Sequence, residues 1–124
     1  MAEAVARRDA SDIIEPSSAG LAPLGYIVEP TTNILAANGY SAEGLASKRL
    51  SQRAVDDAEL IVNLSGCRID CLPARAKVEE WPVDDPYGTA PATYQRALEE
   101  IVGRVLALAA RLRSQPRFRE RKDA

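Results

Sequence analysis

The chain has 124 residues, of which 46% are hydrophobic and 27% are charged, and its formal net charge is -2. This length and composition predict a single globular domain, and a charge so close to neutral does not predict a nucleic-acid partner. The sequence contains no histidine, which excludes a Ser-His-Asp triad and a zinc site with histidine ligands. Its apolar runs are too short to cross a membrane, so no membrane partner is expected.

The N-terminal part of the chain predicts a helix followed by a short strand. Alanines and charged residues favour a helix over residues 2–10. Two isoleucines then begin a strand over residues 13–17, which contains Pro16 and leads to a small-residue turn at Ala19-Gly20.

A loop and two short helices follow. Prolines and a glycine predict a surface loop over residues 21–30. Thr31 or Thr32 caps the next helix, which stops at Asn38-Gly39. After another loop, Ser51 caps a short acidic helix.

The second half of the chain predicts two strands and one long helix. Residues 60–64 read as a continuous apolar strand, of the kind buried on both faces of a parallel sheet, and residues 78–83 form another strand. Apolar residues then recur at intervals of three and four, which predicts a long amphipathic helix. This stripe comprises Tyr94, Leu98, Ile101, Val105, Leu108 and Leu112.

Strands separated by helical segments predict an α/β fold in which a small parallel sheet is flanked by helices. Residues 1–115 are expected to form this single domain. Residues 116–124 are rich in arginine and lysine, and we expect them to be a disordered basic tail.

Three segments of the sequence occur in a characteristic order. They are Met1-Ala2-Glu3-Ala4, Ser17-Ser18-Ala19-Gly20 and Trp81-Pro82-Val83-Asp84-Asp85-Pro86-Tyr87-Gly88. Together they resemble the low-molecular-weight protein tyrosine phosphatases and the related thioredoxin-coupled arsenate reductases. The resemblance implies the fold of that family without its first strand, which lies centrally in the family's parallel sheet, between the strands that match residues 13–17 and 60–64.

In this family the first strand ends in a phosphate-binding loop, Cys-x5-Arg-Ser, which Met-Ala-Glu-Ala follows almost at once. This chain starts just after the position of that loop, and neither Cys67 nor Cys71 reproduces the motif. The nucleophilic thiolate and the phosphate-binding arginine are therefore absent, and the polypeptide is expected to be truncated and inactive. Either its start is displaced within a longer phosphatase, or it is a non-catalytic binding or assembly module derived from the fold.

The resemblance also assigns roles to residues that are present. Asp85 of the Asp-Pro-Tyr loop matches the general acid, and Tyr87 matches a tyrosine that lines the substrate slot. Ser18 matches a serine that hydrogen-bonds the phosphate loop, which makes it a candidate substrate-site residue. Without that loop, Ser18 is expected to be only a turn residue.

Cys67 and Cys71 are candidates for the redox pair of the arsenate reductases, which carries a disulfide away from the nucleophile. Ser65 occupies the position of the family's first redox cysteine, so two free thiols in a surface loop are the favoured alternative. Tyr87-Gly88 also favours the phosphatase branch. A truncated arsenate reductase is the further alternative, and neither a metal nor a cofactor is expected.

For a longer product, the resemblance implies a phosphorylated protein or a small phosphoester as substrate. Two cysteines without an export signal predict the reducing cytoplasm. If the central strand is missing, residues 13–17 and 60–64 must pair directly, or their open edges will pair with another molecule. We expect the second outcome, a homo-oligomer. A free α-ammonium at Met1 is also expected to fray the first helical turn.

Overall fold

The computed structural model describes residues 1–20, 25, 27–65, 78–83, 86 and 89–114. In chain order its elements are α1 (Ala2–Asp9), α2 (Glu29–Ala37), α3 (Gln52–Asp57), β1 (Ile61–Asn63), β2 (Val78–Glu80) and α4 (Pro91–Arg113). Among the described helices, none combines the length and the apolar character that a membrane span requires. The expected basic tail, residues 116–124, lies outside the described residues.

β1 and β2 form a two-stranded parallel sheet, with Ile61 opposite Val78 and Asn63 opposite Glu80. The pairing extends one step further, because the N–H of Trp81 donates to the Asn63 carbonyl at 3.0 Å. The predicted α/β class, a small parallel sheet flanked by helices, is confirmed.

α4 supplies much of the hydrophobic core. All six residues of the predicted apolar stripe are buried on one side of this helix, which packs against α1 and α2. Each large apolar side chain buried in this way stabilises a fold by about 1.5–3 kcal/mol. From the opposing elements, Val5 of α1 and Leu35 of α2 are both 0% exposed.

The start of the short acidic helix is confirmed, whereas the start of the second helix is corrected. The Ser51 hydroxyl accepts a hydrogen bond from the Ala54 N–H at 3.1 Å, as a helix cap does. Neither predicted threonine caps the second helix, because Val28 is its N-cap residue. The helix starts early since Pro30 fits its first turn, where a missing N–H costs no helical hydrogen bond.

The strand expected over residues 13–17 is not formed. Pro16 offers no N–H to a ladder, and no strand of the described part lies alongside this segment. The chain instead makes a single parallel bridge between Gly20 and Arg49. Direct pairing of residues 13–17 with 60–64, the internal way to close the sheet, is therefore absent from the described residues.

The first turn of α1 is formed, so the expectation that it frays is wrong. The Val5 N–H donates to the Met1 carbonyl at 3.1 Å. Ala4 is 3% exposed and Val5 is completely buried. The burial of Ala4 and Val5 ties this turn to the core.

Candidate functional site

The segment between β2 and α4 is held firmly at its first end. Trp81 directly follows β2, is 5% exposed and belongs to the core. Pro82 cannot donate to a ladder, and the Val83 N–H turns back to the Trp81 carbonyl at 2.8 Å. For this reason the strand predicted over residues 78–83 already ends at Glu80.

The other end of this segment is held at the start of α4. The Pro86 carbonyl accepts hydrogen bonds from both the N–H and the hydroxyl of Thr89. Ala90 is the N-cap residue of α4, and a proline follows in the first turn. Asp85, the candidate general acid, precedes Pro86 in sequence, and Tyr87, the candidate substrate-slot residue, follows it, but both lie outside the described residues.

Asn63 joins the carboxyl ends of the two strands. This side chain is 3% exposed, and its Oδ1 accepts from the N–H and the hydroxyl of Ser65 at 3.0 and 2.6 Å. Its Nδ2 donates to Glu80 Oε2 at 2.8 Å. In open α/β sheets, ligands bind outside the carboxyl ends of the strands. Asn63 therefore links the two strands at the carboxyl end of the sheet, where a ligand is expected.

The two redox candidates follow β1 in sequence. Cys67 and Cys71 lie outside the described residues, so their role stays a prediction. Ser65, at the position matching the first redox cysteine, donates its hydroxyl to Asn63. A hydroxyl in this position cannot take part in thiol–disulfide exchange.

Ser18 has a specific partner, so the expectation that it is only a turn residue is wrong. Its hydroxyl donates to Glu3 Oε1 at 2.6 Å. Glu3 is 8% exposed and also pairs with Arg7, one turn further along α1. Arg7 in turn donates to the Glu43 carbonyl at 2.6 Å. The start of α1 is thus a polar cluster of hydroxyl, carboxylate and guanidinium.

Glu3 is the residue of this cluster to which the sequence reasoning assigned no role. It lies in the first turn of α1, where the helix dipole stabilises a carboxylate. In the 124-residue polypeptide, burial lowers the pKa of the Met1 α-ammonium below its ordinary value of 8.0, while the Glu3 carboxylate opposes this effect.

The described part of the site can orient groups and exchange hydrogen bonds. The hydroxyls of Ser18 and Ser65 and the carboxylates of Glu3 and Glu80 are already engaged with one another or with their neighbours. The described residues contain no group of three or more side chains that could hold a metal ion.

The chain belongs to the low molecular weight phosphotyrosine protein phosphatase family, whose family model matches residues 1–118. It is similar to an arsenate reductase solved in a phosphate-binding state, at 22% identity and a TM-score of 0.80, covering 90% of this chain and 86% of that chain. An arsenate reductase from Archaeoglobus fulgidus DSM 4304 is 28% identical with a TM-score of 0.67, covering 88% of this chain and 87% of that one. No curated protein matches the sequence. The resemblance inferred from three short segments is therefore confirmed.

Proposed function

We propose that this protein is adapted to phosphomonoester hydrolysis, with Asp85 as the general acid. The proposal is supported chiefly by the family match, which spans residues 1–118. Asp85 directly precedes Pro86, whose carbonyl is held by Thr89 at the start of α4. The Asp85 carboxyl would protonate the leaving oxygen of a phosphorylated protein or small phosphoester.

Two further residues would serve the same site. Tyr87 would line the slot that receives the substrate. Ser18, held by the buried Glu3, would orient a phosphate-binding loop against the first turn of α1. A helix N-terminus suits such a loop because its free N–H groups and its dipole favour bound anions. We propose the reducing cytoplasm as the setting, where thiols stay reduced.

We further propose that the 124-residue polypeptide does not catalyse this reaction by itself. The family's route needs a thiolate nucleophile and an arginine within Cys-x5-Arg. The arginine position of such a motif would be Pro73 for Cys67 and Lys77 for Cys71. A general acid without a nucleophile does not rescue the reaction, so activity requires a longer product that supplies the loop.

The test compares two products of the same gene. The 124-residue polypeptide, verified by intact mass to start at Met1, should not turn over p-nitrophenyl phosphate above the blank. A product extended by an in-frame upstream segment that ends in Cys-x5-Arg-Ser should turn it over. In that product, Asp85→Asn should lower kcat roughly 10²- to 10⁴-fold, while the matched control Asp84→Asn leaves it within about threefold.

Turnover by the verified 124-residue polypeptide would contradict the proposed inactivity. Equal losses in the Asp85 and Asp84 variants would contradict the assignment of the acid. An upstream frame without the loop would support the alternative of a non-catalytic binding or assembly module.

Arsenate reduction is the second candidate function. It is favoured by the similarity to solved arsenate reductases, one of them 28% identical. This reaction would need Cys67 or Cys71 in addition to the nucleophile of the loop. In the extended product, replacing both cysteines by serine should leave phosphatase turnover unchanged. Loss of a thioredoxin-dependent reduction of arsenate in that variant would instead support the reductase.

A further inference from the structure

The backbone of β1 faces two directions, and in the described part of the chain only one of them has a partner strand. In a parallel ladder, the N–H and C=O of alternate residues face the same neighbouring strand. The Trp81 N–H donates to the Asn63 carbonyl at 3.0 Å, so the backbone groups of Asn63 face β2. The backbone groups of Ile61, two residues earlier, face β2 as well. The N–H and C=O of Val62 therefore face the opposite edge, where no strand of the described part pairs with them.

This opposite edge, which we call the open edge, comprises Leu60, Val62 and Leu64. Their side chains are partly buried and pack against the core. Residues 60–64 include no charged residue, proline or glycine, the residues by which edge strands commonly avoid pairing with other chains. The open edge is thus a row of backbone donors and acceptors beside an apolar, core-facing row of side chains.

We propose that a second copy of this chain pairs with the open edge. The two β1 strands would run antiparallel about a two-fold axis through Val62. Residues that face each other as a hydrogen-bonded antiparallel pair exchange both of their N–H···O=C bonds. Val62 paired with Val62 of the second copy therefore satisfies its N–H and its C=O at once.

The same axis brings Leu60 opposite Leu64 of the second copy, and Leu64 opposite Leu60. These pairs lie on the core-facing side of both sheets, so the apolar row continues from one copy into the other. The two small sheets become one sheet of four strands, in the order β2-β1-β1-β2. A symmetric pair also closes on itself, whereas an unrelated extended peptide would leave its own outer edge open.

The first test is the mass of the 124-residue polypeptide by light scattering after size-exclusion chromatography. At tens of micromolar we expect a species of about twice 13.4 kDa. Among the backbone hydrogen-bonding groups of β1, Val62→Pro removes just the N–H that faces the open edge, so it should give the monomer mass. The matched control Val62→Thr keeps that N–H and should give the dimer mass. A wild-type monomer, or a dimer that persists in Val62→Pro, would overturn the proposal.

Amide hydrogen exchange tests the same edge without any substitution. The Val62 N–H should be protected at high protein concentration and exchange faster on dilution. The Asn63 N–H, which faces β2, should be protected at both concentrations and serves as the internal control. Protection of Val62 that does not depend on concentration, in a species of monomer mass, would show that another segment of the same chain covers the edge and would overturn the proposal.

Discussion

Glu3 connects three separate parts of the chain. It accepts a hydrogen bond from Ser18 at 2.6 Å and pairs with Arg7, which donates onward to the Glu43 carbonyl at 2.6 Å. The Glu3 side chain is 7% exposed, so these partners replace most of the water that its carboxylate loses on folding. The start of α1 therefore depends on a small number of charge-assisted hydrogen bonds.

Ser18→Ala should lower the free energy of unfolding by about 1–2 kcal/mol, because it leaves the buried Glu3 carboxylate without one donor. Ser17→Ala is the matched control. Ser17 is exposed, and no interaction of its side chain is found among the described residues, so its effect should stay within about 0.5 kcal/mol. Urea unfolding followed by Trp81, the single tryptophan, measures both. Similar losses in the two variants would show that the hydrogen bond to Glu3 is without consequence.

The Met1 α-ammonium predicts a pH dependence for the 124-residue polypeptide. Burial lowers its pKa in the folded state below the ordinary value of 8.0, so the unfolded state binds this proton more tightly. The contribution of this group to stability is therefore unfavourable below the folded-state pKa. It becomes less unfavourable as the pH rises through that pKa, and it levels off above about pH 8.

N-terminal acetylation removes this titrating group and provides the control for the pH prediction. The acetylated polypeptide should be more stable than the free one below the folded-state pKa and should lack this rise in stability toward pH 8. Stability can be measured by urea unfolding across this pH range. A rise of the same size in both forms would assign the pH dependence to other groups.

At the scale of elements, α4 could be predicted from sequence because its signal is local and repeated. Each turn adds another apolar residue to the same face, and all six expected positions are buried. Residues 13–17 show why the strand prediction failed. A strand forms only beside a partner, and no strand of the described part lies alongside this segment, which itself contains Pro16.

For the candidate site, the confirmed part of the prediction is the family. Short motifs identified the family, while the roles of Asp85 and Tyr87 stay predictions because both residues lie outside the described part of the chain. The role of Glu3 was not predictable, since its contact with Ser18 joins residues that are distant in sequence. The same holds for Asn63, whose bond to Glu80 depends on the pairing of β1 with β2.

The buried and the exposed face of α4 predict very different losses of stability for the same Leu→Ala substitution. Leu98 is 1% exposed, so Leu98→Ala should lower the free energy of unfolding by about 2–5 kcal/mol through lost burial and a residual cavity. Leu106 on the outer face is 45% exposed, so Leu106→Ala should change it by less than about 1 kcal/mol. Thermal and urea unfolding test the pair, and a loss at Leu106 comparable to that at Leu98 would show that the outer face is also covered.

At the scale of the whole molecule, the proposed activity and the proposed dimer compete for the same edge of the sheet. In the longer product that we propose, an upstream strand ending in the phosphate-binding loop would lie beside residues 60–64. Such a strand would use the backbone groups of Val62 that we assign to the second copy. The extended product should therefore be active and monomeric, whereas the 124-residue polypeptide should be inactive and dimeric.

The competition is tested by measuring mass and turnover on the same samples of both products. Since dimerisation stabilises the folded state by mass action, the Tm of the 124-residue polypeptide should rise with its concentration, while that of the extended product should not. Val62→Pro should abolish this concentration dependence in the shorter polypeptide. An extended product that is fully active and still forms a dimer sensitive to Val62→Pro would show that the strand and the second copy occupy different edges.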